Sequence, residues 1–295
     1  MIHHLIDPVL ALVQAAGQAT LPYWQANVAV QTKADESPVT AADIAAHKVL
    51  AAGLVALDAS IPVLSEEDCA IALSERQQWT RWWLVDPLDG TKEFISGSAE
   101  YTVNVALIEH GQVVFGVVGV PVTSAIYYGG AEFGAFCRDA DGATRSLHMR
   151  SAPQDELAVV ASKRHSSPEQ EALLERLAEN FPTLRLVNVG SSLKFCQMAE
   201  GAADLYPRLA PTSQWDTAAA QAVLEGAGGQ VLNLQGQPLT YAAQESYLNP
   251  FFIALPQQAV WRESFLSHVS RIAVDIPYPS VPLMSQRTLF ESTAD

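Results

Sequence analysis

The sequence predicts a layered α/β protein, with an α+β N-terminal half followed by an α/β C-terminal half. Across residues 101–136 short apolar β runs are separated by glycine and proline, the pattern of an antiparallel meander. Beyond Ser151-Ala152-Pro153 strand-like and helix-like stretches alternate instead, the signature of α/β layering. A chain of 295 residues that is 49% hydrophobic can fill the core such layers need. The halves divide as residues 1–152 and 153–256, and residues 257–295 form a C-terminal extension.

Taken in order, Leu5, Val9, Leu12, Val13 and Ala16 recur at helical spacing, and Asp7-Pro8 reads as the helix start because proline is tolerated in a first turn. His3 and His4 read as solvated. The polar stretch 33–43 enters a second helix, predicted over 44–57. Thr40 and Asp43 have capping-box spacing, although that motif prefers Glu or Gln last; alone, the segment leaves a helix cap and a functional acid equally open. A short apolar strand over 61–64 runs into Ser65-Glu66-Glu67-Asp68, and a second over 82–85 runs into Asp86-Pro87-Leu88-Asp89-Gly90-Thr91. The meander is predicted over 101–108, 113–120, 125–128 and 132–136. Asp139-Ala140-Asp141-Gly142 is a hairpin turn, since Arg150 stands where a calcium loop needs glutamate.

The C-terminal half alternates strand 157–161, helix 168–180, strand 183–189, helix 193–201, strand 204–209 and helix 215–226. Strands 230–234 and 251–255 close it. A last helix over 259–268 precedes a tail rich enough in Pro and Ser to fray.

Composition excludes some functions. A net charge of -15, from 17 basic against 32 acidic residues, argues against nucleic acid, whose binding rests on clustered Lys and Arg. An anionic small-molecule substrate would need metal ions or a local basic patch. Cys69, Cys137 and Cys196 are scattered without metal spacing and read as free thiols in a reducing compartment. The N-terminal stretch lacks a basic region and a bilayer-spanning run, so the expected protein has no transmembrane segment and is cytoplasmic.

Two aspartates at the rim of a core are costly unless a cation sits there, and a metal ion is the simplest answer. Asp86 and Asp89 are three residues apart, whereas haloacid dehalogenase-type enzymes place theirs two apart on an extended chain. Pro87 therefore implies a turn that re-aims the second carboxylate and leaves the Leu88 carbonyl facing the same site. Oxygen ligands favour Mg²⁺ over zinc. Gly90 lets the backbone approach a ligand closely, and Thr91 offers a hydroxyl to orient water. Asp216 opens an alanine-rich helix; alone it would be a cap, but with Glu66, Asp86 and Asp89 it makes up the carboxylates of a multi-metal site.

In these motifs, and in their order, the chain resembles the inositol monophosphatase superfamily of magnesium-dependent, lithium-sensitive phosphomonoesterases, over roughly residues 2–255. Lys92-Glu93-Phe94 and Gly190-Ser191-Ser192-Leu193-Lys194-Phe195 resemble its CysQ-type 3'(2'),5'-bisphosphate nucleotidases more than its inositol phosphatases. The resemblance implies an αβαβα sandwich that hydrolyses 3'(2')-phosphoadenosine 5'-phosphate, or its sulfated analogue, to AMP and phosphate in support of sulfate assimilation. It further implies that Glu66, Asp86 and the Leu88 carbonyl hold one Mg²⁺ and that Asp86, Asp89 and Asp216 hold a second, a third ion being left open. Thr91, supported by Asp43, would position and deprotonate the attacking water, with Gly90 at the substrate. Residues matching His165, Ser191, Lys194 and Arg208 contact the nucleotide in yeast-type relatives, and Lys163 and Arg164 adjoin the first of them. A monomer is favoured, and a peripheral position at the inner membrane is kept open. The competing expectations are an inositol or sugar monophosphatase of the same fold and a non-catalytic regulatory binding protein.

Overall fold

In this computed structural model residues 2–26, 29–32, 38–150, 155–161, 171, 173–175 and 181–272 are described. Most of the helix expected over 168–180, the basic residues Lys163, Arg164 and His165, and the tail 273–295 lie outside them.

Helix α1 spans His3–Thr20, so it begins before Asp7, and Pro8 lies inside it. The apolar face explains this correction: Leu5, upstream of the proline, is buried with Val9, Leu10, Val13 and Ala16. Burying one such side chain contributes roughly 1.5–3 kcal/mol, which offsets much of the ~3 kcal/mol that an interior proline costs. After the short hairpin β1 (Gln31–Thr32) and β2 (Pro38–Val39), helix α2 runs Ala41–Leu57, three residues earlier than expected because Thr40 is its N-cap.

The first sheet has seven strands in chain order: β3 (Val63–Ser65), β4 (Arg81–Asp89), β5 (Thr102–Glu109), β6 (Gln112–Val120), β7 (Ala125–Gly130), β8 (Gly134–Arg138) and β9 (Thr144–Leu147). β3 pairs parallel to β4, and the others pair antiparallel as the predicted meander. β9 is missing from the sequence expectation: its Thr-Arg-Ser-Leu is exposed except for Leu147, so it carries no apolar alternation. The turn between β8 and β9 forms where expected, with the Asp139 N–H donating to Ala143 O at 2.8 Å. Short helices α3 (Leu73–Arg76) and α4 (Thr91–Ile95) flank β4.

In the second half β10 (Glu156–Ala161) pairs parallel with β11 (Thr183–Asn188). β14 (Phe252–Pro256) pairs antiparallel with both β12 (Tyr206–Arg208) and β13 (Gly229–Asn233). A Val159–Leu205 parallel bridge and a 2.7 Å bond from the Val160 N–H to Leu205 O join the two ladders. The helices of this half include α5 (Leu193–Ala199), α6 (Gln214–Gly226) and α7 (Arg262–Ile272), the last starting three residues later than expected; residues 171 and 173–175 are also helical.

Three apolar clusters define the layers. α1 and α2 cover one face of the first sheet, through Leu10, Leu50, Trp83, Val105 and Phe115. Its other face meets α5 and α6, which also contact Tyr206, Phe252 and Ala254 of the second sheet. The outer face of that sheet packs on Leu173, Phe265 and Val269. The result is an αβαβα sandwich. α6 lies close to β6: a Cβ on Gly116 would stand 2.1 Å from Ala219 O, so only glycine admits the helix.

Candidate active site

β4 does not end at Val85. It continues through Asp86 to Asp89, where a bulge, not the expected turn, re-aims the second carboxylate. Asp86 pairs with Asn104 and Asp89 with Thr102, so three steps on β4 oppose two on β5. In a regular strand residues three apart face opposite ways; the extra residue brings Asp89 back to the side of Asp86. Pro87 suits a bulge because it has no N–H to give to a ladder. Asp86 Oδ1 accepts the Leu88 N–H at 3.0 Å. Gly90 follows with φ 88, a left-handed conformation that opens α4, and Thr91 begins that helix.

The parallel register of β3 sets Ser65 against Val85, so Glu66 arrives beside Asp86 with its N–H on Val85 O at 3.0 Å. Glu66 lies close enough to Asp86 to raise the pKa of that carboxyl. From the second half, Asp216 sits in the first turn of α6, where its Oδ2 accepts the Ser213 N–H at 2.8 Å. Carboxylate oxygens of Asp86, Asp89 and Asp216 lie within 4.8 Å of one another.

Such crowding has an electrostatic cost. Burial, then the charges of Glu66, Asp89 and Asp216, hold the Asp86 carboxyl well above its ordinary range. Asp216 is raised likewise, by burial and then by Asp89 and Glu66. Burial carries Asp89 from 3.8 up to about 6, against the opposing pull of Lys194 and the Ser192 N–H. Carboxylates so placed favour either protons or a cation, and a donor set made only of oxygen suits a hard divalent ion such as Mg²⁺.

Asp43 stands at the edge of this cluster and is 2% exposed. Its Oδ2 accepts the Thr40 N–H at 2.8 Å and the Thr40 hydroxyl at 2.7 Å, the capping box left open by the sequence. Its Oδ1 faces the Thr91 hydroxyl at 3.4 Å, and that hydroxyl is 3.5 Å from Leu88 O. Cap and functional acid are therefore compatible.

Two basic residues act on the cluster, Lys194 on Asp89 and Arg208 on Asp216. Lys194 is 7% exposed and donates to Ser191 O at 3.1 Å. Burial lowers it to about 8, with Asp89 pulling up and Arg208 pushing down. Arg208 donates to Ala210 O and Pro211 O, both at 3.2 Å, and its charge lowers Asp216. Ser191 has φ 48, a strained conformation for a residue with a Cβ, and the next N–H, of Ser192, reaches Asp89 Oδ2 at 2.5 Å. Asp86, Asp89 and Asp216 are thus brought together, with Glu66, Asp43, Thr91, Ser191, Lys194 and Arg208 linked to them through the contacts and charges above, whereas His165, Lys163 and Arg164 are outside the described residues.

Some contacts were not foreseen. His47 Nδ1 and Ser65 Oγ are 2.9 Å apart, tying α2 to the strand end that carries Glu66. His47 is four residues after Asp43, one turn along the same helix face, and that spacing is the signal that could have found it. Ser192 Oγ meets Thr102 Oγ1 at 2.8 Å and Asn104 Oδ1 at 2.9 Å, a buried knot that no sequence spacing announces.

A sandwich that gathers carboxylates from two strand ends and a helix N-terminus is an α/β protein with a cluster that could hold a metal ion. Residues 2–272 match the model of the inositol monophosphatase family, and the chain belongs to that family. It is 47% identical over 250 residues to "3'(2'),5'-bisphosphate nucleotidase CysQ" of Escherichia coli O6:H1, covering 84% of this chain and 98% of the relative. It is 37% identical to the protein of the same name from Aggregatibacter actinomycetemcomitans, over 90% of this chain and 98% of that one. Among solved structures, CysQ from Bacteroides thetaiotaomicron, a bacterial member of the family, superposes with a TM-score of 0.75 at 34% identity, covering 88% of this chain and 100% of that one. No helix among the described residues is long and apolar enough to cross a membrane.

Proposed function

We propose that this chain is a Mg²⁺-dependent 3'(2'),5'-bisphosphate nucleotidase, hydrolysing 3'(2')-phosphoadenosine 5'-phosphate to AMP and phosphate in the service of sulfate assimilation. What carries this reading is the joining of the Asp86–Asp89–Asp216 cluster with 47% identity to a relative of that name over most of both chains.

In this reading Glu66, Asp86 and the Leu88 carbonyl hold one ion, and Asp86, Asp89 and Asp216 hold another. Mg²⁺ bound there supplies a lowered pKa for water and charge neutralisation at phosphate. The chain's own groups do the rest. Asp43 Oδ2 is committed to Thr40, so Oδ1 is the oxygen that takes a proton through the Thr91 hydroxyl. The positive φ of Gly90 turns the chain from β4 into α4 and so sets Thr91 beside the Leu88 carbonyl. Lys194 and Arg208 bind the second phosphate, Lys194 exchanging its Ser191 carbonyl for a phosphate oxygen. All of these residues come from one chain, with residues 153–256 contributing Ser191, Lys194, Arg208 and Asp216, and the unit we propose is a monomer.

Side-by-side turnover of adenosine 3',5'-bisphosphate and inositol 1-phosphate with Mg²⁺ tests the proposal. The bisphosphate should be strongly preferred; equal or reversed preference would make the chain an inositol or sugar monophosphatase of the same fold.

A further inference from the structure

Glu66 and Asp216 reach the cluster from opposite directions, one on the turn after β3 and the other in the first turn of α6. One strap, residues 244–249, is bonded to the footing of both. On the α6 side the Gln214 N–H donates to Tyr247 O at 2.8 Å, Ser213 bridges Leu248, and the Asn249 N–H donates to Thr212 O at 2.8 Å. The Asn249 side chain is 3% exposed. Its Nδ2 lies 2.7 Å from Ser213 O, 3.0 Å from Thr217 Oγ1 and 3.1 Å from Thr212 Oγ1. Ser213 is the residue whose N–H orients the Asp216 carboxylate.

On the other side the Tyr247 hydroxyl donates to Cys69 O at 2.7 Å, three residues beyond Glu66. The Arg76 guanidinium lies 4.5 Å over the Tyr247 ring and donates to Ile71 O and Gln244 O, both at 3.1 Å. The other ring neighbour of Tyr247 is Trp215, 5.0 Å away between centroids and adjacent to Asp216. The strap therefore clamps the turn carrying Glu66 to the helix end carrying Asp216. Like charges push these two footings apart, while Mg²⁺ demands near-ideal oxygen geometry.

We propose that the 244–249 strap is a brace that fixes the separation of Glu66 and Asp216, with Tyr247 and Asn249 as positioning residues for the cation site. The proposal rests on the metal-site reading above. Neither side chain is a ligand: their hydrogen bonds end on carbonyls and hydroxyls, so they act through Cys69 and Ser213.

Calorimetric titration of Mg²⁺ into the full chain tests this. Tyr247→Phe keeps both ring contacts and loses only the bond to Cys69. It should weaken Mg²⁺ binding about tenfold, the scale seen when groups that orient metal ligands are removed. The substrate KM at saturating Mg²⁺ should be unchanged. Asn249→Ala should weaken Mg²⁺ at least as much; if it does not fold, Tyr247→Phe alone decides. The control is Tyr127→Phe, which loses a 2.9 Å bond to Glu200 three strands away from Asp86 in the same row of the sheet, and it should keep the parent's Mg²⁺ affinity. Parent-like Mg²⁺ affinity in Tyr247→Phe overturns the brace, as does equal weakening in Tyr127→Phe. A parent chain that takes up no Mg²⁺ overturns the metal reading itself.

Discussion

Asp43 and Asp216 each combine a helix cap with a place at the site. Asp43 Oδ2 accepts from Thr40 and its Oδ1 from Thr91, while Asp216 Oδ2 accepts the Ser213 N–H and the residue has a carboxylate oxygen in the acidic cluster. An alanine at either position removes two things at once, so the isosteric amide separates them. Asp43→Asn should keep the cap and lose the proton acceptor. Its kcat should fall by about 10²–10⁴, with little change in melting temperature, whereas Asp43→Ala should add a stability loss of about 1 kcal/mol. Thr91→Ser should retain most of the activity that Thr91→Ala loses. Steady-state kinetics beside thermal melts will show it, and full activity in Asp43→Asn would confine this acid to capping.

At the level of elements, the bulge in β4 and the seat of α6 decide where the acids point. Asp89 shares a side with Asp86 only because three β4 steps oppose two of β5. Asp216 reaches them only because α6 lies close against β6, where an added Cβ at Gly116 would meet the Ala219 carbonyl at 2.1 Å. That atom is backbone, so the helix itself must shift. Gly116→Ala should cost about 1–3 kcal/mol and weaken Mg²⁺ binding together, even though residue 116 touches no acid. Urea denaturation and Mg²⁺ titration of the same preparation test the pairing; parent-like stability would mean that α6 does not need this close seat.

For the whole molecule the cluster makes stability depend on metal and pH. Asp89 rises on folding from 3.8 to about 6, and Asp86 and Asp216 also rise. The metal-free folded state thus binds more protons than the unfolded chain, so its stability from these groups is full below about pH 4 and is lost as pH climbs through about 6. Mg²⁺ binds the ionised cluster and opposes that loss. The gain in melting temperature on replacing EDTA with Mg²⁺ should therefore grow from pH 4 to 7, with mass action adding about 2.7 kcal/mol at a hundredfold excess over Kd. A gain that stays flat with pH would mean the acids are not the binding groups. The -15 charge repels polyanions from the surface at large, so the proposed substrate depends on the local cations assigned to it above.

Local pattern was legible where a physical period writes it into the chain. The meander, the β4 run, the α6 helix and the two strand ends rich in acid all follow from apolar spacing and turn residues, and they appear where expected within a few residues. The boundaries that moved did so for tertiary reasons: Leu5 is buried on the sheet, so α1 extends past Pro8, and β9 pairs at an edge without an apolar stripe. Residue types and spacing also pointed the acids toward a hard cation and away from an aspartyl-phosphate, the reading that the proposed function takes up. Only the tertiary structure decided how those donors meet. The parallel register of β3 on β4, the bulge, the close seat of α6 and the strap at Tyr247 and Asn249 are contacts between segments far apart in the chain. Periodicity reports which way a side chain faces on its own element; the partner across the core is set by packing that no local pattern records.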